Sequence, residues 1–284
     1  MENFFRKIIS QKIIFKIFWG ALLALSLGTA LMAGQAANSG NSLKGAYSQK
    51  GAYSQKGAYS QKGMYSQMET KKLPIYSVST DNKLVALTFN CAWNIDDLDS
   101  ILDTLKKNEI KASFFMTGEW VENYPDAVKK IAKAGHDLAS HGDGHKHMNS
   151  LSKEECMQEI YGVHKKVFEL TGVEMDLFRP PYGEYNDTVI AAAEESGYYP
   201  IQWSIDSLDW KNYGVKEMTE RVVEHKALES GAIVLMHNGT DYTAKALQGI
   251  IDGLKNKGYQ FVAVSELIIR EEYEIDHAGK QVKK

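Results

Sequence analysis

From residue 83 onward, short apolar segments alternate with segments in which apolar residues recur three and four positions apart. The first kind is typical of buried strands, and the second of amphipathic helices that end near glycine. The strand candidates are LVALTFN, KASFFMTG, HDLASHG, MDLFRPPYG, YPIQWSID, AIVLMHNG and YQFVAVSEL. This alternation predicts an α/β fold with a parallel sheet and right-handed crossovers. We expect a distorted (β/α) barrel of seven or eight parallel strands, with an open doubly wound sheet as the alternative.

Residues 1–37 have the pattern of an export segment. Four basic residues precede the uncharged run IFWGALLALSLGTALMAG, and small residues follow it. This order is typical of a signal peptide, and the run is also close to the shortest helix that spans a membrane. The segment therefore predicts either a cleaved signal peptide or a membrane anchor with its basic end in the cytoplasm. Both alternatives place the rest of the chain outside the cytoplasm, secreted or anchored, in association with the cell wall or the spore.

Residues 38–75 are predicted to be a flexible linker. They contain four copies of a six-residue unit, KGAYSQ three times and KGMYSQ once, in residues 44–67. Polar tracts that contain glycine and serine have no continuous apolar face to bury and usually act as spacers. A tyrosine-rich array that binds the cell wall is the alternative. Residues 76–284 are then the folded domain.

The charge pattern excludes one large class of partners. The net charge is -3, and the basic residues of the folded domain are interspersed with acidic ones. A nucleic-acid-binding domain normally presents a basic stripe or patch, so we expect no nucleic-acid partner.

The chain has two cysteines, Cys91 and Cys156. A disulfide is the first possibility in an exported protein. Cys156, however, falls on the apolar stripe of a predicted helix that begins with a capping box of Ser152 and Glu155. We expect a buried core thiol at that position, so Cys91 needs an explanation of its own.

Polar and titratable residues cluster where the predicted strands end. They are Asn90 and Cys91 after the first strand, His141 and His145 after the third, Arg179 after the fourth, Asp206 and Asp209 after the fifth, and His237 after the sixth. Ligands of parallel α/β folds bind at the carboxyl ends of the strands. The distribution therefore predicts one shared pocket.

Two of these residues suggest a metal site. His141 and His145 are four positions apart, which puts both imidazoles on one side of a helical turn. The spacing alone is equally compatible with a solvated loop, and His147 is a competing ligand.

Five segments match, in order, the motifs of one enzyme family. They are TFNC (88–91), HGDGH (141–145), RPPYG (179–183), DSLDW (206–210) and LMH (235–237). The set resembles T-F-D-D, H-S/T-x-x-H, R-x-P-Y-G, D-x-x-D-W and L-x-H of the polysaccharide deacetylases, carbohydrate esterase family 4, which share the NodB homology domain. The resemblance covers roughly residues 80–270, and the AW after the first motif is closest to the sporulation-associated branch.

The resemblance implies a hydrolase that cleaves the C–N amide bond of an N-acetylated amino sugar in a cell-wall polymer, with peptidoglycan as substrate. An ion held by Asp, His and His would polarise the acetyl carbonyl and activate water. His141 and His145 would be metal ligands and His237 the general acid. Asp209 would orient His237 and favour its imidazolium form, and Arg179 would hold the base.

The resemblance also implies a set of substrate-binding residues. They are Pro181, Tyr182, Gly183, Trp210 and Leu235. The backbone N–H near Tyr182 would stabilise the oxyanion, and Trp210 and Leu235 would form walls of the acetyl pocket. Taken singly, Trp210 and Leu235 are equally compatible with core packing, and Arg179 with a turn that two prolines fix.

Three residues depart from the family pattern. Gly142 replaces the hydroxyl residue of the second motif, Asn90 stands at the position of the base, and Cys91 stands at the position of the metal-binding aspartate. A thiolate with two imidazoles is a recognised zinc site, so Cys91 favours zinc as the divalent ion, with cobalt as the alternative. An amide accepts no proton near neutral pH, so Asn90 cannot act as the base.

These departures leave two principal hypotheses for function. The first is a metal-dependent de-N-acetylase of reduced activity, in which Asp143, Glu184 or Asp206 relays the proton. The second is a pseudoenzyme that keeps the cleft as a glycan-binding module. A structural wall protein tethered by its repeats is a third alternative.

Overall fold

The computed structural model describes residues 71–284. The predicted export segment and the four repeats lie outside these residues. Ile75 is buried and bridges Ile201. Within residues 71–284, no helix has both the length and the apolar character needed to cross a membrane.

Eleven strands make up the sheet of the described domain. They are β1 (Ser77–Val78), β2 (Leu84–Cys91), β3 (Ser113–Met116), β4 (Asp137–Ser140), β5 (Leu177–Phe178), β6 (Tyr199–Pro200), β7 (Ile205–Asp206), β8 (Ala232–His237), β9 (Gln260–Phe261), β10 (Tyr273–Ile275) and β11 (Lys280–Lys283). The helices are α1 (Leu98–Lys107), α2 (Gly118–Asn123), α3 (Pro125–Lys133), α4 (Lys153–Thr171), α5 (Asp187–Glu195), α6 (Val215–Val223), α7 (Thr243–Asn256) and α8 (Val264–Leu267).

The strands that carry the motifs are parallel to one another. Their order is β7-β8-β2-β3-β4-β5-β6, and each neighbouring pair is parallel. The sheet curls, and residues 75–78 connect its two sides. Ile75 pairs with Ile201 beside β6, and Ser77 pairs antiparallel with Ala232 of β8. This confirms the distorted parallel barrel.

Each strand divides its side chains between two apolar clusters, because alternate residues point to opposite faces of a sheet. In β2, Val85, Leu87 and Phe89 pack with residues of the surrounding helices, which defines the outer face. Ala86 instead joins the cluster inside the curl, together with Phe115 of β3. The inner face is therefore the one that can line a central cleft.

Two predicted strands differ from the structure. The segment YPIQWSID divides into β6 and β7, because Gln202 N donates to Ile75 O rather than continuing one ladder. In YQFVAVSEL, only Gln260–Phe261 is a strand, and α8 follows. The start of α8 is fixed by Ser113 Oγ, which accepts from Val264 N at 2.8 Å, and this contact is not visible in the local pattern.

The capping box of α4 is confirmed, since Ser152 and Glu155 exchange side-chain to backbone hydrogen bonds. Cys156 is buried on the inward face of that helix, as predicted. Both cysteines are free, so the disulfide alternative is excluded.

Candidate active site

His237 and Asp209 form a tightly hydrogen-bonded pair at the end of β8. The Asp209 carboxylate accepts from His237 Nδ1 at 2.8 Å and from the His237 backbone N at 2.6 Å. It also accepts from Thr243 Oγ1 at 2.7 Å and from Trp210 N at 2.9 Å. Its side chain is fully buried. The carboxylate therefore fixes the ring and leaves Nε2 as the His237 nitrogen that no residue of 71–284 engages.

Arg179 directly follows β5 and is completely buried. Its Nη1 donates to Asn90 Oδ1 at 2.9 Å and its Nη2 to Gln202 O at 3.1 Å, while the guanidinium lies 3.9 Å from the centre of the Phe115 ring. Burial lowers the pKa of Arg179 to about 9, and the negative charge of Asp206 opposes part of that shift. Both hydrogen-bond acceptors are neutral, so the cation has no carboxylate directly bonded to it.

His141 and His145 come together as predicted, with ring centroids 5.0 Å apart. His141 Nδ1 is 2.8 Å from Arg179 O, which can only accept, so the ring donates through Nδ1 and keeps its lone pair on Nε2. Burial lowers the pKa of His141 well below its ordinary value, and burial also lowers the pKa of His145. Both rings are therefore neutral near pH 7, which is the form that binds a metal ion.

Cys91 does not share the inner face with these histidines. Its side chain is completely buried in the outer apolar cluster, with Phe89 and Met116. Burial raises the pKa of the Cys91 thiol well above its ordinary value, and the charge of Asp97 raises it further. The thiol is therefore protonated in an apolar environment, unlike a reactive or metal-bound cysteine.

The predicted metal set is thus only partly assembled. Within residues 71–284, no three His, Cys, Asp or Glu side chains are grouped so that they could hold a metal ion. The two imidazoles suit a divalent ion, but within residues 71–284 no third protein ligand accompanies them.

The loop that carries both histidines is held by Glu159 of α4, which is 5% exposed. Glu159 Oε2 accepts from Gly144 N at 2.7 Å, Oε1 forms an ion pair with Lys146 Nζ at 2.7 Å, and the Glu159 backbone O accepts from Asp143 N at 2.9 Å. Gly142 has φ 80°, a conformation that favours glycine and accounts for the missing hydroxyl residue. Sequence reasoning missed Glu159, although its position directly beside the apolar stripe of α4 was a usable signal.

The predicted substrate-binding residues differ in their exposure. Pro181 and Leu235 are buried, and Gly183 O accepts from Gln202 Nε2 at 3.0 Å. Tyr182 and Trp210 are half exposed.

His147, the competing metal ligand, faces the rim. Its ring stacks on Tyr182 with centroids 4.3 Å apart, and its Nδ1 lies 3.0 Å from Glu184 Oε2. His147 therefore supports the Tyr182 ring and is engaged on one nitrogen by a carboxylate.

Of the three candidate proton relays, two are engaged elsewhere. Asp143 pairs with Lys166, and Glu184 pairs with His147. Burial raises the pKa of Asp206, and the charge of His237 opposes this shift. Asp206 Oδ1 accepts from Leu208 N at 2.8 Å, so this carboxylate is engaged by the backbone on one oxygen.

Trp93 and Thr243 were not identified from the sequence. The Trp93 ring stacks on the His237 ring with centroids 5.0 Å apart and an interplanar angle of 26°. Thr243 is buried and bonds Asp209, as described above. A tryptophan directly after the first motif was visible, but nothing local showed that it would reach a residue far along the chain.

Comparison with known proteins identifies the family. The polysaccharide deacetylase family model matches residues 77–201. The chain is 38% identical to the peptidoglycan-N-acetylglucosamine deacetylase PgdA of Listeria monocytogenes, over 69% of this chain and 41% of that protein. It is also 38% identical to a peptidoglycan-N-acetylglucosamine deacetylase of Bacillus cereus, over 68% of this chain and 92% of that protein. The chain thus spans less than half of the first relative and nearly all of the second.

Among solved structures, wild-type BA3943 of Bacillus anthracis, a CE4 family pseudoenzyme, matches with a TM-score of 0.66 and 34% identity, over 68% of each chain. A BA3943 mutant with restored enzymatic activity matches with the same TM-score. Sequence, motif order and fold agree, and this chain belongs to the polysaccharide deacetylase family, carbohydrate esterase family 4.

Proposed function

We propose that this chain binds an N-acetylated amino-sugar polymer of the cell wall, peptidoglycan in the first instance, and removes its acetyl groups with reduced activity. The observation that carries this proposal is the intact pair of His237 and Asp209, which faces the same cleft as Arg179 and the two neutral histidines. A binding module has no need of a histidine held by a fully buried carboxylate. Two relatives named as peptidoglycan deacetylases support the choice of polymer.

Amide hydrolysis requires that the attacking water lose a proton and that the leaving amine gain one. The chain's own residues support the second of these proton transfers better than the first. His237 Nε2 is free to deliver a proton to the leaving amine, and Asp209 stabilises the imidazolium that does so. Asn90, bonded to Arg179, cannot accept the proton of the attacking water. His141 and His145 would hold a divalent ion, which in this family supplies polarisation of the carbonyl.

The second candidate function is glycan binding without catalysis. Asn90 at the position of the base and Cys91 in the outer cluster both favour it, because each removes a group that hydrolysis requires. The similarity to a CE4 family pseudoenzyme supports the same alternative.

We further propose that the domain acts outside the cytoplasm, at the cell wall or in association with the spore. The export pattern of residues 1–37 supports this location, and the domain is then secreted or held at the membrane by that segment. No basic stripe in the sequence suggests a nucleic-acid partner.

An acetate-release assay separates the candidates. The full-length protein is incubated with peptidoglycan and with chitin oligomers, in the presence of zinc, cobalt or a chelator, and glycan binding is measured in parallel. Acetate release that His237→Ala abolishes supports the deacetylase. Glycan binding without acetate supports the second candidate, and the absence of both contradicts both proposals.

A further inference from the structure

Trp93 is a large apolar side chain that the fold leaves 45% exposed at the edge of the cleft. One face of its indole ring lies against the His237 imidazole. Ile95, two residues further along, is 36% exposed, so the loop presents a small apolar surface directly beside the proposed general acid. Exposed apolar surface next to a polar cleft is typical of a binding site.

The loop that carries Trp93 is fixed to the loop after β8. Asn94 O accepts from Asn238 Nδ2 at 2.6 Å, and Asp97 Oδ1 accepts from Gly239 N at 2.7 Å. The contact is close, since a Cβ on Gly239 would lie 2.9 Å from Asn94 O. Trp93 and His237 are therefore held together by side-chain to backbone hydrogen bonds between their loops as well as by ring stacking. A preorganised surface loses little entropy when it binds a ligand.

Three other aromatic rings, those of Tyr182, Trp210 and Tyr213, are also half exposed, and each lies against a cation or histidine other than His237. Lys211 Nζ lies 4.9 Å from the Trp210 ring centre and 6.0 Å from that of Tyr213. His147 stacks on Tyr182. Within the described domain, by contrast, no lysine or arginine lies over Trp93, and His237 is its one ring partner. The second face of the Trp93 ring is thus available to a ligand.

From these contacts we infer that Trp93 is a sugar-stacking residue of the cleft. It receives the apolar C–H face of the pyranose ring next to the sugar whose acetamido group reaches His237. This inference rests on the proposed function, because it takes the acetamido group at His237 as its reference point. An indole offers a broad, rigid apolar face at low entropic cost, which suits an uncharged sugar ring. Trp93 would therefore make the site select a polymer over a free monosaccharide.

The chain offers a matched control. Tyr161 is 59% exposed on α4 and stacks on His164, with centroids 5.4 Å apart and an interplanar angle of 12°. Tyr161 therefore repeats the arrangement at Trp93, an exposed aromatic ring stacked on a histidine, but lies away from the motif residues.

Calorimetric titration of the full-length protein with a chitin oligomer and with free N-acetylglucosamine tests the inference. In Trp93→Ala we expect oligomer affinity to fall about tenfold or more, and monosaccharide affinity to change by less than about threefold. Trp93→Phe should retain most of the affinity, and Tyr161→Ala all of it.

Wild-type binding with equal oligomer affinity in Trp93→Ala would overturn the stacking role and leave the proposed function standing. An equal loss for monosaccharide and oligomer would place Trp93 at the acetyl pocket and overturn the neighbouring-ring assignment. If the wild-type protein bound neither sugar, the inference would be contradicted, and the acetate-release and binding assays on peptidoglycan would decide the proposed function.

Discussion

Asn90 and Cys91 are consecutive residues of β2, and their side chains lie on opposite faces of the sheet. Asn90 bonds Arg179 in the cleft, whereas Cys91 packs with Phe89 in the outer apolar cluster. The two departures from the family motif therefore have different consequences. The first changes the charge of the cleft, and the second places a thiol in the core.

We expect Asn90→Asp to raise acetate release about tenfold or more. The new carboxylate would form a charge-assisted hydrogen bond with Arg179 and would supply the missing base, which is typically worth about 10²–10⁴-fold. Asn82→Asp adds the same charge at an exposed position before the start of β2, away from the cleft, and should leave the rate unchanged. High native activity that Asn90→Asp does not increase would show that another residue is the base.

Zinc analysis of the purified protein tests the ligand set. The structure predicts that Cys91→Ala leaves the bound zinc unchanged, because the thiol is in the outer cluster. His141→Ala should remove it. The family motif instead places Cys91 among the metal ligands. Loss of zinc in Cys91→Ala would therefore show that β2 turns its last residue toward the histidines when metal binds.

Removal of the Glu159 side chain should loosen the histidine loop. Glu159→Ala leaves Gly144 N and Lys146 without their acceptor, at a cost of roughly 1–3 kcal/mol in the free energy of unfolding. Hydrogen exchange of residues 142–146 should rise about tenfold, while Glu169→Ala, exposed on the same helix, should not change it. Unaltered exchange in Glu159→Ala would mean that the backbone contacts alone hold the loop.

Stability should fall as the pH decreases from about 7 to about 4. Burial lowers the pKa of His136 to about 4, and its Nδ1 accepts from Ala112 N at 3.2 Å. In the unfolded chain the histidine pKa is about 6.5, so as the pH falls the unfolded chain binds a proton before the folded chain does. The free energy of unfolding therefore decreases below that pH.

The contribution of His136 to this loss is about 3 kcal/mol in the free energy of unfolding. Urea unfolding at several pH values measures it. His136→Asn keeps an acceptor and should flatten the dependence, whereas His277→Gln, which is exposed, should not. An unchanged slope in His136→Asn would assign the loss to other groups.

The export segment predicts that protease added to intact cells digests the folded domain, because four basic residues precede the apolar run. Immunoblotting against the domain measures this. A cytoplasmic marker protein serves as the control for membrane integrity. Full protection of the domain in sealed cells would contradict the proposed location.

Periodicity was sufficient to predict the barrel, because β2, β3 and β8 contain continuous apolar runs and helices separate the strands. Periodicity failed where a contact with a residue distant in the chain decides the secondary structure. Ile75 divides the segment at Gln202, and Ser113 begins α8 where a strand was expected. Neither partner is near its target in the chain.

For the site, motif order predicted the pairs His237–Asp209 and Arg179–Asn90, both of which the structure brings together. Strand alternation held further information, because Phe89 and Cys91 are two positions apart and so share a face. The roles of Trp93 and Glu159 depend on loop docking and helix placement, which no local pattern encodes.

Arg179 still donates to residue 90 as it would to a carboxylate. In the genetic code, asparagine and aspartate codons differ by a single base, whereas cysteine cannot become aspartate in a single step. A lineage that carries this sequence therefore stands one point mutation from a restored base, with the acid pair already in place. At residue 90, the amide and the carboxylate are therefore neighbouring states in sequence space that selection can reach in either direction.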